Sequence, residues 1–123
     1  MKIRSHTELD VYKLAFDSAM EIFELSKSYP KEEKYSLTDQ VRRSSRSVCS
    51  NLAETFRKRK YQKAFISKLS DCEGEAAETQ VWLDFSLKCN YISMDQYKLL
   101  YEKFNHILGK LVNMALHSEK RTY

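Results

Sequence analysis

The sequence predicts an all-α fold, an antiparallel up-down-up-down four-helix bundle. Three observations predict it. Apolar residues recur at three- and four-residue steps in four separate segments, the period of a helix with one buried face. Glycine and proline are scarce, two and one in 123 residues, so the closely spaced turns of an all-β chain are missing. The segments are joined by short polar connections, which set consecutive helices side by side and antiparallel. Residues 1–123 are expected to form one domain, since that length supports a single core and not two.

The helices are expected over residues 8–27, 37–59, 61–89 and 94–117. In the first, Leu9, Tyr12, Phe16, Ala19 with Met20, and Phe23 make the apolar face, widened by Val11, Ala15 and Ile22. Pro30 breaks the helix in the first connection. Ser36-Leu37-Thr38-Asp39 has the spacing of a capping box and opens the second helix. Its face is Leu37, Val41, Ser44 with Ser45, Val48, Leu52 and Phe56. The third helix carries Phe65, Leu69, Cys72, Ala76, Thr79, Leu83 and Leu87, with Trp82 and Phe85 off that stripe. Gly74 inside it costs up to about 1 kcal/mol relative to alanine, so close packing is expected there. Ser93-Met94-Asp95-Gln96 is a second capping box. Tyr97, Leu100, Phe104, Ile107 with Leu108, Leu111, and Met114 with Ala115 line the fourth helix. The polar tail from His117 to Tyr123 is expected to fray.

Several function classes lack their residues. No apolar run approaches the roughly 18 residues of a membrane span. Met1 to His6 lack the apolar core of a signal peptide, so a cytoplasmic protein that does not engage membranes is expected. Cys49, Cys72 and Cys89 are odd in number and never form Cys-x-x-Cys, which suits reduced thiols. There is no Gly-x-Ser-x-Gly turn, no glycine-rich phosphate loop and no histidine placed to serve a cysteine. No catalytic residue and no cofactor is therefore assigned. Asp71, Glu75 and Glu78 project from one side of the third helix and have the chemistry to hold a hard cation. A di-iron bundle, however, needs Glu-x-x-His on two helices, and neither His106 nor His117 follows a Glu at that spacing, so no metal is expected.

The net charge of +4 is modest, and its distribution says more. Between Leu37 and Ser70 nine cations (Arg42, Arg43, Arg46, Arg57, Lys58, Arg59, Lys60, Lys63, Lys68) face only Asp39 and Glu54. At 100° per residue, Arg42, Arg46, Arg57 and Lys60 share a sector of roughly 60°, away from Val41, Val48 and Leu52. They are expected to be exposed, as a row of donors able to meet successive phosphates of a nucleic acid. Tyr61 and Phe56 adjoin the row, at positions suited either to stacking on a base or to the edge of the core. From Asp71 to Leu87 the acids Asp71, Glu73, Glu75, Glu78 and Asp84 stand without a cation. Asp71, Glu75 and Glu78 lie near Trp82, and a tryptophan beside charges outside the core stripe suits an oligomer contact. The alternative to a nucleic-acid surface is a protein-interaction scaffold whose basic and acidic faces pair between subunits.

The block Gln40-Val41-Arg42-Arg43-Ser44-Ser45-Arg46-Ser47-Val48-Cys49-Ser50-Asn51-Leu52-Ala53-Glu54 resembles the hallmark of a bacterial family. This is the four helix bundle protein family, first found as reading frames in intervening sequences of large-subunit rRNA genes. Its hallmark runs Gln-Ile-Arg-Arg-Ala-Ala-x-Ser-Ile-x-x-Asn-Ile-Ala-Glu-Gly. Leu9 to Ala15, Tyr29-Pro30, Glu33 to Leu37, Phe65 to Asp71, Glu78-Thr79 and Asn90-Tyr91-Ile92 match as well, so the likeness covers nearly the whole chain. It implies an up-down bundle and a homo-oligomer. By analogy with the accessory protein of diversity-generating retroelements, a positively charged barrel associated with nucleic acid and a reverse transcriptase, the oligomer is a ring-like pentamer. RNA or DNA, or another protein, are the implied partners. Carried over residue by residue, the motif singles out Arg42, Arg43, Asn51 and Glu54, with Arg43, Asn51 and Glu54 as interface positions. Thr55 stands where the family usually has glycine.

Overall fold

The computed structural model describes residues 3–120. Four helices follow in order, α1 (Asp10–Ser26), α2 (Leu37–Arg57), α3 (Gln62–Lys88) and α4 (Met94–Leu116). Short 3-10 turns occupy His6–Glu8, Lys31–Glu33 and Ser118–Lys120. Each helix packs on its chain neighbours and α1 closes against α4, so the bundle is the up-down arrangement expected. Met1, Lys2 and the last part of the tail (121–123) lie outside the described residues.

The starts of the helices follow local chemistry, in one case not the chemistry expected. Ser93 and Gln96 form the predicted capping box, with Gln96 N–H donating to Ser93 Oγ at 3.1 Å and Ser93 N–H to Gln96 Oε1 at 2.9 Å. Ser36 does not cap α2. Its hydroxyl donates instead to Glu33 Oε1 at 2.6 Å, and that same oxygen accepts Leu37 N–H at 3.3 Å. The carboxylate therefore arrives from the preceding 3-10 turn, because Glu33 reaches both donors and displaces the serine from its usual role. The other oxygen of Glu33 accepts the Tyr91 hydroxyl at 2.8 Å, tying the start of α2 to the α3–α4 connection.

The core stripes of α2, α3 and α4 fall as the periodicity indicates, with Val41, Val48, Leu52, Leu69, Leu83, Phe104, Ile107 and Leu111 all without exposed surface. On α1 the buried face is rotated. Val11, Ala15, Ser18, Ala19, Ile22 and Ser26 face inward, while Phe16 and Met20 are 47% and 46% exposed. The small Ala15, Ser18 and Ala19 let α1 sit close to its neighbours, and close approach leaves no room for the large residues, which move to the rim. Gly74 also departs from expectation. A Cβ built there would meet nothing within 4 Å, so the glycine faces open space.

Some interior polar groups bond to partners distant in sequence, while the buried Thr38 Oγ1 has no hydrogen-bond partner among the described residues. Thr79 Oγ1 donates to Ser44 Oγ at 2.8 Å between α3 and α2, and the Tyr29 hydroxyl donates to Ser86 Oγ at 2.7 Å. Thr55, at the family's glycine position, is buried against α3. Its hydroxyl donates to Asn51 O at 2.7 Å and touches Cys72 Sγ at 3.7 Å.

The bonds from Ser36, and then from Tyr91, hold the Glu33 carboxyl below the usual glutamate value of 4.5. Because the folded value is depressed, the stability that Glu33 contributes is present above pH 4.5 and lost as pH falls through the folded value. Urea unfolding should show Glu33→Gln less stable than wild type at pH 7, with the difference closing as pH falls below 4.5. A gap that stays constant with pH would show that the cap does not depend on charge.

Candidate nucleic-acid interface

The core side of α2 leaves its cations on the outer side, but they do not form one continuous row. Arg42 is half-buried, contrary to the exposure expected of it. Its Nε donates to Ser26 Oγ at 2.7 Å, its Nη2 to Phe23 O at 3.4 Å, and the guanidinium lies 4.8 Å from the Phe23 ring centroid. The cause is the end of α1. A helix C-terminus presents unpaired carbonyls and partial negative charge, and the last turn of α1 has no cation of its own. Arg42 supplies it from the neighbouring helix.

Arg46 is exposed, with its guanidinium 5.4 Å from the same ring, and is in no ion pair among the described residues. Arg57 ends α2, and Lys58, Lys60 and Lys63 follow within the turn and the first turn of α3; all four are exposed and unpaired among the described residues. Arg59 behaves differently, folding back so that Nη1 donates to Phe56 O at 2.8 Å over the Phe56 ring, 3.9 Å from its centroid. That contact closes α2 at Arg57, two residues before the expected end. Of the two aromatic residues near the run, Tyr61 is 69% exposed and Phe56, at 3%, belongs to the core. Arg42 and Arg57 stand about 22 Å apart along the helix axis, so the row divides. Arg42 joins Lys27, Lys31 and Lys34 around a cleft of about 280 Å³ at one end of the bundle, while Arg57 and Lys60 gather with Lys58 and Lys63 at the other.

The motif positions and the acidic flank lie along the α2–α3 seam. Arg43 is exposed, 4.0 Å from Asp39. Asn51 Nδ2 donates to Ser47 O at 2.9 Å. Lys68 stands between two carboxylates, 3.6 Å from Glu54 and 3.3 Å from Asp71, so Glu54 and Asp71 share one cation within the chain. Glu75 is half-buried, and burial first, then the neighbouring Glu78, pushes its carboxyl above the ordinary value. Trp82 is half-buried and its Nε1 donates to Glu78 Oε2 at 3.4 Å. No group of three or more His, Cys, Asp or Glu is disposed to hold a metal among the described residues. Burial pushes the Cys49 and Cys72 thiols up to about 11, which leaves both as weak nucleophiles at neutral pH.

Sequence reasoning missed three parts of this site. Lys58 and Lys63, counted among the nine cations, fall outside the 60° sector, which continues α2 through residues past its end at Arg57 and so does not show which of them gather at the turn. The role of Lys68 needed the spacing between two helices. The Arg42 clamp had a faint local signal, the absence of any cation in the last turn before Ser26.

The comparisons agree with this architecture. Residues 7–113 match the model of the 23S rRNA-intervening sequence protein family, and the chain belongs to that family. The crystal structure of a protein of unknown function from the S23 ribosomal protein family of Bacteroides thetaiotaomicron VPI-5482 is similar, with a TM-score of 0.78. It is 27% identical, over 85% of this chain and 94% of that one. No curated protein matches the chain. No helix among the described residues is long and apolar enough to cross a membrane.

Since Arg42 serves the end of α1, Arg42→Ala should lower unfolding stability by about 2 kcal/mol. Arg46→Ala, at an exposed unpaired position, should change it by less than about 0.5 kcal/mol. Urea denaturation of both variants measures the contrast, and equal effects would remove the clamp.

Proposed function

We propose that this is a non-enzymatic, cytoplasmic, self-associating helical bundle that binds RNA through the basic surface running from Arg46 to the α2–α3 turn. The observation that carries the reading is the cluster Arg57, Lys58, Lys60 and Lys63, exposed and without ion pairs among the described residues, beside the 69% exposed ring of Tyr61. Unpaired cations keep their full attraction for phosphate, because no internal partner must be released first. An exposed aromatic ring adds a stacking platform for an unpaired base. RNA is favoured over DNA by the rRNA context in the family's description. Assembly into the pentamer that the resemblance implies would repeat the basic turn on each subunit and raise affinity by multivalency.

Two contacts limit the surface. Arg42 is committed to Phe23 and Ser26, and Arg43 lies beside Asp39, so neither stands among the principal phosphate ligands. The scaffold reading draws support from Glu75 and Glu78, which crowd each other, with Ser47 and Arg43 only partly offsetting the burial and repulsion at Glu75.

Binding of a short single-stranded RNA, followed by fluorescence anisotropy, should weaken steeply between about 50 and 200 mM salt. The double variant Arg57→Ala with Lys60→Ala should bind at least tenfold more weakly and show a log–log salt slope shallower by about 1.4. Absence of binding by the wild type at the lower salt concentration would overturn the RNA reading.

A further inference from the structure

The cleft of about 280 Å³ between the end of α1 and the start of α2 is lined by Lys27, Lys31, Lys34 and Arg42, together with Tyr29 and Thr38. No carboxylate lines it. A cleft bounded by one sign of charge focuses its field and concentrates ions of the other sign. Two of the cations have partners within the chain. Arg42 is held by Ser26 Oγ and Phe23 O, and Lys27 lies 3.1 Å from Glu24. Lys31 and Lys34 are exposed and in no ion pair among the described residues.

Thr38 is an independent observation at the same place. It is 7% exposed, and its Oγ1 is the one buried side-chain oxygen or nitrogen without a hydrogen-bond partner among the described residues. A hydroxyl removed from water and left unbonded destabilises a fold, so such a group calls for a partner. No interior group bonds it, and the space that Thr38 borders is the cleft. Thr38 is also the second residue of the 21-residue helix α2, whose positive end therefore meets the cleft.

We infer that this cleft binds a di- or triphosphate group, carried by a free nucleotide or by the end of an RNA. Lys31 and Lys34 bind the phosphate oxygens, Arg42 supplies fixed charge from the side of α1, and the Thr38 hydroxyl donates to the anion. A phosphodiester link, with its single negative charge, leaves most of these cations unanswered; a diphosphate answers several. The volume is just below that of ordinary small-molecule sites, roughly 300–1,000 Å³, which suits a compact anion. The site lies at the opposite end of the bundle from the α2–α3 turn and does not depend on RNA binding there.

Calorimetry on the full chain tests this with pyrophosphate. Wild type should bind it saturably, and more tightly than inorganic phosphate at equal ionic strength. Lys31→Ala with Lys34→Ala should weaken binding by at least about tenfold. Lys13→Ala with Lys98→Ala, an equal loss of exposed charge elsewhere, should leave it unchanged. Thr38→Val separates a ligand role from a structural one. It should melt higher than wild type without pyrophosphate, because the unbonded hydroxyl is gone, and rise less when pyrophosphate is added. Two further arms identify the source. An RNA with a terminal triphosphate bound at least about tenfold more tightly than the same RNA ending in a hydroxyl, a preference lost in the Lys31 and Lys34 double variant, assigns the site to RNA ends. Equal binding of the two RNAs, with ATP displacing pyrophosphate, assigns it to free nucleotides. Absence of saturable pyrophosphate binding overturns the inference. So does equal weakening by the two lysine pairs, or a Thr38→Val variant that melts lower than wild type and binds pyrophosphate as well.

Discussion

The seam between α2 and α3 is the constraint on which the rest depends. Ser44 and Thr55 of α2 meet Thr79 and Cys72 of α3 there, all four buried, and their small size lets the two helices approach closely. Hydroxyls removed from water must be bonded, and the Thr79–Ser44 and Thr55–Asn51 bonds meet that demand without polar side chains of greater length. Just outside, Lys68 bridges Glu54 and Asp71. Once this seam sets the rotation of α2, every other position on that helix has its direction assigned.

That rotation decides how the arginines are used. Arg42 points toward α1 and becomes the cation for a helix end that has none, while Arg46 and Arg57 point outward. The arginine-rich text is therefore divided between building the bundle and offering charge to a ligand. Proximity in sequence does not distinguish the two uses, since Arg42 and Arg46 are one turn apart and both lie over the Phe23 ring. What separates them is whether a carbonyl and a hydroxyl stand within reach.

Most of the fold was legible because helices and their apolar faces are local properties. Val41, Val48 and Leu52, or Leu100, Phe104 and Leu111, declare themselves by spacing alone. Spacing decides less where several apolar residues compete for one face. On α1 the spacing favoured Phe16 and Met20, yet the interior took Ala15 and Ser18, because interhelix distance favours small residues at a close crossing. Gly74, where periodicity suggests close packing, lies on an outward face.

By itself the sequence determined the helix count, the cores of α2, α3 and α4, the Ser93 cap, the family likeness and the concentration of cations between Arg42 and Lys63, all of which depend on neighbours within a few residues. Tertiary structure alone decided the rotation of α1, the transfer of the α2 cap to Glu33, the withdrawal of Arg42 from the surface and the placing of Lys68 between Glu54 and Asp71. These depend on distances between helices, and helix periodicity says which residues share a face without saying what that face meets.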